Sequence, residues 1–191
     1  MKKTNKEFWL ILIICLLPFI LSYSLFYFWK PVKFTNHGDL INPIIKLEDQ
    51  SLTTNNEFTK LVKNNYGNWL VITFLTNRSC DEKCEKKIYW IKQIHTAQGK
   101  EMSRLKRILI KSEIAELPEN IIRDDGSTVL NVTSNQLDEL QTFFNDPENF
   151  YYIVDHFGNL MMKINTNVEP KYIKKDLSKL LKSNKGIKFK N

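Results

Sequence analysis

The chain has 191 residues, with 28 Lys and Arg against 21 Asp and Glu, a length that holds one domain plus appendages. The formal charge of +7 is spread along the sequence, with a mild excess from Lys171 to Lys190. No Gly/aromatic nucleic-acid motif accompanies the lysines, so a solvated basic surface is expected and a nucleic-acid partner is not.

The N-terminus (residues 1–7) is basic, with Lys2, Lys3 and Lys6, and residues 8–29 follow without a charge. At ~1.5 Å per residue that run makes roughly 33 Å of helix, enough to cross a hydrocarbon core. Pro18 inside it is tolerated in a bilayer helix. Trp9, Tyr27 and Trp29 lie near its ends, where amphipathic rings favour the interface. The run is too long for a cleavable signal and no A-x-A-like site follows, so an uncleaved anchor is expected. Its short basic leader favours a cytoplasmic N-terminus and a C-terminal domain in the periplasm of a bacterium, in the inner membrane.

Residues 30–54 read as a stalk and lead-in, with a turn at Asn36–Asp39 and a short apolar run at Ile44–Leu47. A domain over 55–184 and a basic tail over 185–191 complete the chain. Phe58, Leu61 and Val62 mark a short helix. Trp69–Leu75 is apolar without alternation, the pattern of a strand buried on both faces. After the polar turn Thr76–Ser79 come Cys80 and Cys84, then a helix to Gln98 with Ile88, Ile91 and Ile94 on one face and lysines on the other. Gly99 is placed to stop it.

Ile108–Ile110 begins a second strand, which predicts a right-handed parallel crossover. Ile114–Leu130 reads as loop. Thr133 and Gln136 resemble a capping box before a helix carrying Leu137, Leu140, Phe143 and Phe144. Phe150–Val154 and Leu160–Ile164 form a hairpin across Asp155–Asn159. Pro170 opens a final helix with Ile173, Leu177, Leu180 and Leu181 on its apolar face. The order β-α-β-α-β-β-α is that of an α/β, thioredoxin-like domain, here behind a single N-terminal transmembrane helix.

Of three cysteines, Cys15 lies inside the membrane span as an apolar filler. Cys80 and Cys84, spaced C-x3-C, remain as a disulfide, a cycling dithiol or a soft-metal site. Placed i, i+4 on a helix, their Cβ atoms would be ~5–6 Å apart, so a disulfide would need a distorted turn. A helix N-terminus favours thiolate, and paired thiolates suit Cu(I).

Gly67–Cys84 and the late Tyr152–Gly158 resemble the Sco/SenC family of thioredoxin-fold cytochrome c oxidase assembly proteins. That resemblance implies Cu(I) binding by Cys80 and Cys84 with a distal histidine, or reduction of cysteines in a copper-receiving oxidase subunit. Two departures stand out. Asp81 and Glu85 replace the prolines of C-P-x-x-C-P, and the distal-histidine position, eleven residues before Gly158, holds Pro147. His156, in the hairpin turn, is a candidate third ligand, although an exposed turn residue is the simpler reading. His95 lies too far along its helix to join the cysteines, and His37 belongs to the lead-in. A general membrane-anchored thiol–disulfide oxidoreductase and a non-catalytic interaction module with a structural disulfide are the alternatives. The expected partners are the lipid bilayer, through residues 8–29, and the oxidase subunit.

Overall fold

The computed structural model describes residues 4–28, 36–48, 56–117 and 126–183. Trp29, Lys30, Lys33, residues 49–55 and the basic tail lie outside them. In chain order the elements are α1 (Thr4–Phe28), β1 (Asp39–Lys46), α2 (Asn56–Asn64), β2 (Trp69–Leu75) and α3 (Glu82–Thr96). A 3-10 turn (Gly99–Arg104) leads to β3 (Leu105–Ser112), β4 (Thr128–Val132), α4 (Ser134–Phe144), β5 (Phe150–Val154), β6 (Asn159–Asn165) and α5 (Pro170–Ser183). The chain divides into two units, Met1–Thr35 and Asn36–Asn191.

In the first unit, Lys6–Phe28 is long and apolar enough to cross a membrane, with a mean hydropathy of 2.4, and none of it is buried within the protein. Its apolar side chains, from Phe8 to Phe28, are exposed. A hydrocarbon environment satisfies such a surface, and water does not.

The second unit is built around β2, buried at all seven positions. The sheet runs β1-β6-β5-β2-β3-β4. β2, β3 and β4 are parallel neighbours, while β5, β6 and β1 pair antiparallel. Period-two alternation sends Leu70, Ile72 and Phe74 to one face, where they meet Phe58 and Val62 of α2 and Leu137, Leu140 and Phe144 of α4. Trp69 and Val71 go to the other, against Ile91 and Ile94 of α3 and Ile173, Leu177 and Leu181 of α5. Helices covering both faces explain why β2 carries no polar alternation. This is the expected thioredoxin-like α/β arrangement.

Two stretches differ from expectation. The lead-in contributes β1, an edge strand against β6, and the region read as loop after Ile114 contributes β4, the opposite edge. Both are edge strands paired on one side only, and β1 contains Pro43 and a register irregularity between Leu40 and Ile45. Proline and bulges are what sheet edges tolerate, and they erase the alternation by which strands are recognised.

Candidate functional site

The cysteine pair sits where β2 ends and α3 begins, and Asp81, directly after Cys80, shapes the turn between them. Asp81 is the N-cap of α3, its backbone extended (φ −78°, ψ 176°), and its carboxylate accepts the Cys84 N–H at 2.8 Å. An aspartate here satisfies an orphan donor of the first turn and suits the positive end of the helix dipole. Cys80 therefore lies outside the helix and Cys84 in its first turn. The regular i, i+4 helical spacing does not apply, and the Cα atoms stand 5.2 Å apart. That is within the ordinary range for a disulfide, and Cys80 and Cys84 are joined by one without distorting the helix. Both are half-buried and pack against Leu75, Ile88, Leu109 and Ala115.

The loop 145–149 forms the other wall. Register explains its position: β5 runs antiparallel to β2, with Ile72 opposite Tyr152 and Leu70 opposite Val154. Residues preceding β5 therefore lie at the C-terminal end of β2, beside the disulfide. Residues following β5 lie at its start. Asn145 and Asp146 both take positive φ, 45° and 64°, a region that Asn and Asp reach more readily than other side chains. Tyr152 Oη donates to the carbonyls of Phe144 and Asn145, and Asn149 Nδ2 donates to Asp146 Oδ1 at 2.8 Å, fixing the bend.

Lys87 ties this loop to α3. Its Nζ donates to the carbonyls of Phe74 (3.3 Å), Pro147 (3.2 Å) and Glu148 (2.8 Å). The side chain is buried, and burial pulls its pKa from the ordinary 10.5 to about 8, partly offset by the nearby Glu148 carboxylate. The lysines of α3 are thus not all on the solvent face. Lys87 shares the buried side of α3 with Ile88, Ile91 and Ile94. Lys83, on the exposed side, donates to Asn149 Oδ1 at 2.9 Å.

His156 does not join the cysteines. Gly67 N–H donates to the His156 carbonyl at 2.9 Å, which fixes the histidine at the beginning of β2. The cysteines follow its end, roughly 17 Å of strand from Leu70 to Leu75 away. Nor is it an exposed turn residue: it is buried between Trp69 and Phe157, and burial lowers its pKa. The ring lies over Trp69 at the opposite end of β2 from the sulfurs, so His156 is not placed to share a metal with Cys80 and Cys84. His95 is half-buried at the far end of α3, its Nε2 2.8 Å from the Leu105 carbonyl. His37 stacks on Tyr172 with ring centroids 4.2 Å apart, and its backbone N–H donates to the buried Asp176 carboxylate at 2.6 Å. All three histidines are therefore held away from the sulfurs by contacts of their own.

The family model described as transmembrane-like, thioredoxin-like, C-terminal domain matches residues 69–184, from the first residue of β2 through α5. The chain belongs to that family. No curated protein sequence matches it. Solved structures with the same fold include yeast Sco1, at 16% identity and a TM-score of 0.54 over 66% of this chain and 87% of that one. A copper-bound yeast Sco1 gives a TM-score of 0.51 at 16% identity, covering 65% and 85%. Copper-bound Arabidopsis thaliana ScoI gives 0.53 at 11% identity, covering 64% and 88%. These likenesses establish the shared fold.

The donor set of this member does not fit a three-ligand copper site. Among the described residues no His, Cys, Asp and Glu side chains gather in a group of three. Pro147 offers no side-chain donor, and its carbonyl and that of Glu148 accept from the Lys87 ammonium. A cation is therefore anchored on this loop, beside the cysteine pair.

Proposed function

We propose that this protein is a membrane-anchored, Sco-like thiol–disulfide exchange factor, whose reduced Cys80–Cys84 pair reduces the paired cysteines of a copper-receiving oxidase subunit. In this reading residues 8–29 hold the chain in a bacterial inner membrane, with the N-terminus cytoplasmic and the domain periplasmic. The observation that carries the reading is the position of the pair: a half-buried disulfide bracketing the N-cap of α3, closed without cost to the helix. The helix N-terminus supports thiolate at the reduced pair.

The exchange balances simply. One thiolate attacks the partner's disulfide, forming a mixed disulfide and expelling a partner thiolate that takes up a proton. The second cysteine then loses its proton and attacks the mixed disulfide from the chain's side. That closes Cys80–Cys84 and releases the partner's other sulfur as a thiol. Two electrons pass to the partner, and no metal takes part in either step. The small sequence separation keeps the resolving sulfur beside the first, so the mixed disulfide is short-lived in the intact pair.

A test uses the full chain in detergent and a peptide bearing the disulfide-bonded cysteines of the receiving subunit. Reduced wild-type chain converts the peptide to its dithiol, and one of the two single-serine variants, Cys80→Ser or Cys84→Ser, accumulates a covalent adduct that does not resolve. Absence of both conversion and adduct contradicts the reading.

A further inference from the structure

We infer that Lys87 is a positioning residue for the dithiol: its buried ammonium holds the loop 145–149 against α3 and stabilises the Cys84 thiolate once the disulfide is reduced. This rests on the exchange reading above and adds to it the group that sets which sulfur is reactive. Cys84 and Lys87 are three residues apart on α3, which puts their Cβ atoms about 5–6 Å apart on one face. Both line a small recess with Phe74, Leu75, Thr76, Asn77, Asp81, Lys83 and Glu148.

Two features make the charge of Lys87 count. All three of its N–H donors go to backbone carbonyls, so it is held in place without a carboxylate bonded to it. The ammonium is itself buried, so solvent screens it less than it would an exposed charge beside the same small recess.

Other charges face the same recess and are weaker there. Lys83 is exposed and reaches Asn149. Asp81 is exposed and holds the Cys84 N–H, while Glu148 is exposed and accepts from Asn77 Nδ2 at 3.2 Å. Asp146 also lies within electrostatic reach of Lys87, from the exposed bend of the loop. Solvent screens all four more than it screens a buried cation. A negative sulfur also suits Lys87 itself, whose burial otherwise favours the neutral amine.

The test is iodoacetamide alkylation of the reduced full chain in detergent at pH 7, followed at each cysteine by mass spectrometry. Lys87→Met should slow Cys84 about tenfold relative to Cys80, corresponding to about one unit in thiol acidity. Glu148→Gln, which leaves the loop carbonyls and an amide acceptor for Asn77, should speed Cys84. Opposite shifts from removing a positive and a negative charge are an electrostatic signature that a purely structural lysine would not give. If both variants alkylate at the wild-type rate, or both shift the same way, the inference is wrong. If Lys87→Met fails to fold, Lys87→Gln, whose amide keeps two donors for the loop carbonyls and removes the charge, decides instead: slower Cys84 supports the inference, and an unchanged or faster rate overturns it. The readout needs no partner, so exchange with a partner can fail while this result stands, and the reverse.

Discussion

Burying an ammonium costs several kcal/mol unless its donors are satisfied, and Lys87 answers that with three carbonyls from two separate segments. Its pKa of about 8, set chiefly by desolvation, gives a pH signature. Below pH 8 the lysine is protonated in both folded and unfolded chains, and the burial penalty acts in full. Between about 8 and the ordinary value of 10.5 the unfolded chain binds the extra proton, so the stability attributable to this residue rises with pH. Denaturant unfolding of the oxidised full chain should show wild type gaining up to about 3 kcal/mol on Lys87→Met between pH 7.5 and 10.5. Parallel profiles for the two proteins would mean the lysine is not desolvated. The cysteines were legible from their spacing after an apolar strand. Lys87 was not, because its burial depends on Pro147 and Glu148, sixty residues away, and E-K-K beside a cysteine reads as a solvated face. His156 was misread for the converse reason. A hairpin-turn position suggests exposure, and only the packing of β5 beside β2 turns its ring onto Trp69.

Helix α3 depends at its start on Asp81, the residue that stands where the resembling family has proline. Proline would also suit a helix start, but it could not accept the Cys84 N–H. Asp81→Ala should cost about 1 kcal/mol in unfolding free energy, with hydrogen exchange at the Cys84 amide accelerating more than exchange in the second half of α3. Uniform acceleration along the helix would show that the cap is not local. Elements with their own signals were readable. β2 had its unbroken apolar run, α4 its Thr133–Gln136 capping box, which forms with Thr133 Oγ1 on the Gln136 N–H, and α5 its Pro170 start. β1 and β4 were not readable. Their strand character comes from β6 and β3, which supply the hydrogen-bonding partners, and their outward side chains, such as Ile44 and Val129, are exposed apolar residues that blur the pattern.

At the scale of the molecule, a thioredoxin-like domain follows a helix suited to a bilayer, in a family whose model spans the sheet from β2 to α5. The anchor and fold class were visible in sequence because hydrophobic length and element order are one-dimensional properties. The chemistry was not, since it turns on which residues the β2–β5 register brings to one end of the sheet. That register delivers Pro147 and Glu148 to the cysteines and carries His156 away. The central claim is that Cys80–Cys84 is an exchanging pair and not a structural brace. Equilibration of the full chain with glutathione redox buffers tests it most directly. The claim predicts a reduction potential between about −270 and −120 mV, the span of known exchange proteins, and a value below about −300 mV, where structural disulfides lie, would contradict it.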